Sequence, residues 1–412
     1  MIRYIALLLI VTCAQVGQAS VSDEDFSDLK TELMSLINRV EALEAENKAL
    51  KESVVSSAST VEKLATTGKP ASWTESVKIR GDFRYRYEDI DAERSDTRER
   101  NRIRARLTVI AKPADNVEVG IGLASGSEDA VSTNQTLGGG GTTKEVNLDL
   151  AYFKWHAKPG FNVIGGKMKN IFYRPAGHGL LWDGDYRPEG FGFTFERGNY
   201  FLNTAANFLE SDSKNNDNKT AYGFQTGFKG SVGNSQLVAG VGYFEIDTKN
   251  REVFIGDSDE FFGNTFSCID SDALTGCTYN NSYEELELFA QLSTTIGETP
   301  IALFADLVQN QDASDLDTAW AAGLKLGKAS APKTWELSYI YQNIEADAVL
   351  GLVTDSDFAG GGTDAKGHKF KGAWAINKQW KIGLTFFDSQ RNMDIGVEED
   401  YKRLVLDTAY KF

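Results

Sequence analysis

The stretch VKIRGDFRYRYE at residues 77–88 decides the fold. Val77, Ile79, Gly81, Phe83, Tyr85 and Tyr87 share one phase, while Lys78, Arg80, Asp82, Arg84, Arg86 and Glu88 share the other. A period of two places successive side chains on opposite faces of a strand. One face here is apolar and aromatic, and the other is charged. Residues 100–111 repeat the pattern, setting Ile103, Ala105, Leu107, Val109 and Ala111 against Arg100, Arg102, Arg104, Arg106 and Thr108. Dyads of about ten residues are what a membrane barrel with a lipid face and a wet interior requires. A soluble sandwich also alternates, so the connections must discriminate.

Read along the chain, the connections alternate short and long. Residues 112–116, 158–160, 198–199, 230–235, 297–300, 327–332 and 377–379 are short turns rich in Gly, Pro and Asn. Between them lie the polar stretches 89–99, 126–144, 172–190, 211–220, 245–283, 310–317, 345–366 and 388–400. Short periplasmic turns alternating with long outer loops are the barrel's topology, and a sandwich has no reason to sort its loops by end. Fifteen connections predict an all-β transmembrane barrel of about sixteen antiparallel strands, give or take two, with both ends in the periplasm. Residues 145–158 and 161–171 alternate poorly. The final strand sets Leu404, Leu406, Thr408, Tyr410 and Phe412 in one dyad, resembling the aromatic terminus read by the barrel assembly machinery. Trp155, Trp320, Trp335, Trp374 and Trp380 are candidates for the interfacial girdles in contact with outer-membrane lipid.

Outside the barrel the reading changes. Residues 1–19 have Arg3, a short apolar run and a small-residue cleavage site, the pattern of a secretory signal. Thr12 before Cys13 argues against a lipidated cysteine. Residues 20–57 carry a heptad pattern, with Phe26, Leu33, Val40, Asn47 and Val54 at a and Leu29, Leu36, Leu43 and Leu50 at d. This narrow seam predicts an N-terminal α-helical coiled coil in the periplasm, dimeric or trimeric, with a homotrimer favoured. Residues 58–72 are a Ser/Thr/Ala-rich linker to the barrel at 73–412. With 59 Asp and Glu against 43 Lys and Arg, nucleic acid is excluded as a partner. Cys268 and Cys277, in one polar loop of an exported chain, are expected to form a disulfide.

Several blocks together resemble the "putative porin" family of Gram-negative bacteria: residues 81–88, the arginine dyad at 100–107, STNQTL at 132–137, LDLAY at 148–152, GGKM at 165–168, LWDGD at 181–185 and PEG at 188–190. The resemblance implies a water-filled channel for ions and small hydrophilic solutes in the cell outer membrane, with no cofactor. It names no solute.

Arg80, Arg84, Arg86, Arg100, Arg102, Arg104 and Arg106 are the candidate pore-lining residues. A lipid-facing Arg near the midplane costs about 2–4 kcal/mol, so the charged phase must meet water. Two readings stay open. Either Asp82, Glu88, Glu118, Asp149 and an inward loop balance the arginines, or their field selects anions, phosphate in the extreme. The acidity of the chain and the apparent lack of lysine clusters on other strands favour the first. In general porins the third long loop folds inward; here Asp183, Asp185, Arg187 and Glu189 are its constriction candidates, and an ordinary capping loop is the alternative. Two carboxylates fall far short of a calcium site. His156, His178 and His368 are isolated, and no nucleophile–base or metal spacing points to an enzyme. A structural anchor acting through the coiled coil is the remaining class.

Overall fold

The computed structural model describes residues 31, 34–36, 38–51, 76–212, 214, 218–255, 257 and 259–412. The expected signal segment, the linker and much of the heptad stretch lie outside the described residues. Residues 38–51 are helical, and Val40, Leu43 and Leu50 are exposed along them. The barrel is a separate compact unit beginning at Ser76.

Its wall strands are β1 (Lys78–Ala92), β2 (Arg98–Ala114), β3 (Val117–Ser125), β4 (Val146–Lys158), β5 (Phe161–Lys167), β6 (Glu189–Arg197), β7 (Tyr200–Glu210) and β8 (Lys219–Val232). They continue as β9 (Ser235–Ile246), β10 (Tyr283–Ile296), β11 (Thr299–Asn310), β12 (Thr318–Gly327), β13 (Trp335–Ile344), β14 (Ala365–Ala375), β15 (Trp380–Arg391) and β16 (Glu399–Lys411). Each pairs antiparallel with the next, and β16 pairs back to β1, from Asp82↔Lys411 to Ala92↔Tyr401. The ring is therefore closed with sixteen strands. The two-residue strand Gln135–Thr136 joins the same sheet from the second loop. Closure removes the edge that would otherwise expose unpaired backbone groups.

All fifteen connections fall within a few residues of where the sequence places them. The weak alternation around β4 and β5 has a cause: the register shifts between Gly122 and Leu123 opposite β4, and β5 is only 7 residues long. The third loop consequently leaves the wall early, at Met168.

The two faces differ as the dyads require. Ile79 is 63% exposed, and Leu107, Val109, Ile121, Phe153, Leu288 and Leu384 are exposed with it, whereas Arg86 is 5% exposed and Glu88 fully buried. Trp155, Trp320, Trp335 and Trp374 stand on the exposed face, and Trp335 pairs directly with Trp374 across β13 and β14. The main apolar core is formed by loops inside the ring packed on inward-facing wall residues such as Phe244, Phe304 and Val308. Leu180, Leu181 and Trp182 of the third loop pack with Phe261 and Tyr279 of the fifth and with Leu350, Leu352 and Phe358 of the seventh. The fifth loop also holds the Cys268–Cys277 disulfide, beside the small hairpin of Phe266–Ser267 and Thr278–Tyr279.

Candidate functional site: an arginine wall and the loop that crosses the barrel

The register between β1 and β2 sets the electrostatic problem. It opposes Asp82 to Arg106 and Glu88 to Arg100, but also Arg84 to Arg104 and Arg86 to Arg102. Like charges directly opposite destabilise a sheet. The two strands hold too few carboxylates to balance themselves, so partners must arrive from elsewhere.

They come from three places. Asp407 of β16 bonds Arg86 at 2.8 Å and lies 3.7 Å from Arg84. Asp357 of the seventh loop bonds Arg86 and Arg403, each at 2.9 Å. Asp185 of the third loop bonds Arg106 at 2.8 Å and Arg104 at 3.2 Å, opposite Asp82, which receives both arginines from the wall. Buried Glu88 accepts from Arg100 and from Arg403, the latter at 2.6 Å. Arg102 donates to the Asn134 carbonyl at 3.2 Å and Arg84 to the Asn134 side chain. Such charge-assisted bonds fix geometry as well as charge.

The third loop, residues 168–188, spans the interior. Its Tyr173 amide donates to Gln225 of β8 at 2.7 Å, and the Tyr173 hydroxyl meets Gln291 of β10 at 2.7 Å. The His178 ring packs edge-on against Phe304 of β11 at 4.8 Å, and its Nε2 lies 3.1 Å from Asp306 without hydrogen-bond alignment. Asp185 then reaches β1 and β2, across the ring from β11. The loop is thus an inward strut, and the capping-loop alternative falls away. Against the seventh loop, the Asp183 amide donates to the Val353 carbonyl at 2.7 Å, and its carboxylate accepts from the Ser356 amide at 3.1 Å.

The four candidate loop residues divide. Asp185 meets the arginine wall. Asp183 is turned into the loop-loop contact, where burial and neighbouring Asp355 push its carboxyl up to about 7. Burial also raises Asp185, but Arg104, Arg106 and Arg187 outweigh it and hold that carboxyl below its ordinary value. Arg187 lies 3.3 Å from Asp149, and Glu189 pairs with Lys167 at 2.7 Å on an exposed rim. Burial, with Lys369 and Arg174 nearby, pushes the His178 imidazole down to about 3.

Two expectations need correction. Among the described residues Glu118 and Asp149 form no ion pair with the arginine wall: Glu118 accepts from the Tyr152 hydroxyl at 2.8 Å, and Asp149 faces Arg187, favouring the charge of Arg106 only from a distance. Lysine clusters are also present: Lys78, Lys112, Lys154 and Lys169 meet around one cavity. They come from four separate elements, so a search along single strands misses them. Asp357, Asp407 and Arg403 leave no such signal either, because only the ring closure and the fold of the seventh loop bring them to β1.

Cavities lie at both ends of the interior. One of about 780 Å³ is lined by Arg100, Arg102, Asp129 and Gly360–Gly362 at the loop end. Another of about 540 Å³ is lined by Lys78, Arg80 and Tyr152 near the turn end.

A closed sixteen-strand barrel with an apolar belt, a charged inner face and a loop strut is the architecture of an outer-membrane channel. The chain belongs to the "putative porin" family, whose model matches residues 90–255 and 272–410. No curated protein matches. Among solved structures, it is similar to OprB of Pseudomonas putida at high pH, with 11% identity and a TM-score of 0.55, covering 82% of this chain and 95% of that one. The low-pH structure of the same OprB gives 9% identity and a TM-score of 0.50, covering 82% and 93%. At these identities the likeness is one of fold. Family and fold point to a porin of the outer membrane, a channel rather than an enzyme.

Proposed function

We propose that the arginine face of β1 and β2 lines a water-filled pore for passive diffusion of ions and small hydrophilic solutes. The observation that carries this reading is the meeting of Arg104 and Arg106 with Asp185 on a loop that crosses the interior. Positive wall and negative loop meet at one level, so a passage beside this contact is bordered by charged groups of both signs. Rings and rows of charge at a constriction sort ions by sign. The N-terminus lies in the periplasm, and the exposed a and d residues Leu36, Val40, Leu43 and Leu50 support a coiled coil that gathers three barrels. Phe412, bonded through its backbone to Gly81, is the end presented to the barrel assembly machinery.

Planar-bilayer recordings of the purified chain test the pore. Stepwise conductance is expected, with a reversal potential in a salt gradient that moves when Arg102, Arg104 and Arg106 become Gln. No channel activity refutes the reading, and a reversal potential indifferent to all three removes the arginines from the lining. Deleting residues 23–57 tests the trimer: persistence of trimers on unheated gels excludes the coiled coil as their cause.

A further inference from the structure

Most cations of the arginine wall already hold carboxylates. Those around the turn-end cavity do not. Lys78 and Arg80 of β1, Lys112 of β2, Lys154 of β4 and Lys169 at the start of the third loop all line the cavity of about 540 Å³. Among the described residues, none of the five forms an ion pair within 4.0 Å. Among the described residues the single carboxylate lining the cavity, Glu118, accepts from Tyr152 at 2.8 Å. Lys78, Arg80, Lys112 and Lys169 are exposed, although the alternation of β1 and β4 turns Ile79, Phe153 and Trp155 to the apolar belt. Their exposure is therefore to water inside the ring. Met168, Lys169, Asn170 and Ile171 close the cavity where the third loop leaves the short β5.

We propose that this chamber is a binding site for small multivalent oxyanions on their way through the pore. The inference rests on the porin reading and names the solute class that it leaves open. Among the described residues five like charges with one carboxylate lack counter-charge, and low-dielectric walls focus their field into the chamber. Lysine suits the role because its ammonium is a mobile point charge that holds phosphate or carboxylate without fixing one geometry. The volume accommodates an anion with part of its hydration, since a water occupies about 30 Å³. Conduction requires binding that concentrates the ion yet releases it, which several weak contacts supply better than one buried clamp. On the flank beyond β16, Lys371 of β14 and Lys381 of β15 are also without ion pairs among the described residues.

The test compares the full-length protein with K78Q/K154Q and with R104Q/R106Q. In bilayers held in chloride, inorganic phosphate is expected to reduce the chloride current saturably. K78Q/K154Q should weaken that block roughly tenfold, because two near charges are lost, and should move the reversal potential toward cations. R104Q/R106Q should change the block less. Citrate in place of phosphate separates the two oxyanion sources, and saturable block by either supports the site. Calorimetric titration of phosphate into the detergent-folded protein tests binding independently of conductance. Open channels that neither phosphate nor citrate blocks overturn the chamber and leave the porin reading standing. So does block unchanged in K78Q/K154Q. Absence of channels refutes the porin reading, and calorimetry then decides the site alone: heat that disappears in K78Q/K154Q supports it, and no heat overturns it.

Discussion

The same two strands carry two kinds of positive charge. Toward the loop end, Arg84, Arg86, Arg100, Arg104 and Arg106 are locked to Asp82, Glu88, Asp185, Asp357 or Asp407. Toward the turn end, Lys78, Arg80 and Lys112 form no ion pair among the described residues. The residue types are nearly interchangeable in sequence, yet the first set acts as a fastener and the second as a source of field. A row of arginines is therefore not by itself a selectivity filter: what matters is how much of its charge is already answered. Here the loops answer it, because the register that opposes Arg84 to Arg104 and Arg86 to Arg102 leaves an excess only outside carboxylates cancel.

The largest effect is expected where pairing is most complete. Glu88 is fully buried and meets Arg100, Arg403 and Arg86. Glu88→Gln leaves guanidinium groups buried without their counter-charge, a change of about 3–5 kcal/mol for such sites. The heat-modified gel transition of the folded barrel should fall clearly. An unchanged transition would mean that the wall is not held by its charge pairs, and the comparison collapses.

Next comes conversion of fastened charge into free charge. Asp185→Asn releases Arg104 and Arg106 from the third loop, and one freed charge at 4 Å in water is worth about 1 kcal/mol, or roughly fivefold in ion preference. The reversal potential should shift toward anions. A shift toward cations, or none, would show that the released arginines find other carboxylates.

A smaller effect should follow pH. Asp183, with its carboxyl raised to about 7, is neutral in the folded loop at acid pH and ionises near neutrality. Asp355 and Asp185 oppose that charge, while Arg174 and Lys369 favour it. A group raised on folding stabilises fully below its unfolded value of 3.8 and loses that contribution as pH rises through about 7. The packing of the third loop on the seventh should therefore loosen between about pH 6 and 8, through burial of the new charge and its repulsion by Asp355 and Asp185 and in spite of the Ser356 bond. Limited proteolysis of the third and seventh loops would register it. Asp183→Asn should flatten the profile, and a wild-type profile already flat would exclude this carboxyl.

How far the sequence reaches follows the same division. Period two, the sorting of short turns from long loops and the phase of the arginines are local signals, and each gives the barrel without a partner strand. The short β5 and the register shift opposite β4 blurred the pattern in one place, which is also where the third loop departs. Contacts between elements far apart in the chain leave no such trace. Asp357 meets Arg86 only after the ring has closed and the seventh loop has folded inward, and Lys154 joins Lys78 only through two intervening strands. Composition did register the surplus of carboxylates, but not which of them would be drawn to the wall.

The smallest effect on the two populations of charge should come from the bridge between Cys268 and Cys277. It closes a sequence separation of only 9 residues within the fifth loop, beside a two-residue hairpin at the loop end. Short closures remove little chain entropy, about 2–3 kcal/mol in the unfolded chain. Neither the arginine wall nor the lysine chamber includes either cysteine. Reduction, or Cys268→Ser with Cys277→Ser, should leave conductance and reversal potential unchanged while making the 266–279 hairpin easier for a protease to cut. A change in ion preference would mean that the fifth loop, through Phe261 and Tyr279 in the loop core, transmits strain to the strut and hence to Asp185. The two populations of charge would then be coupled through the plug.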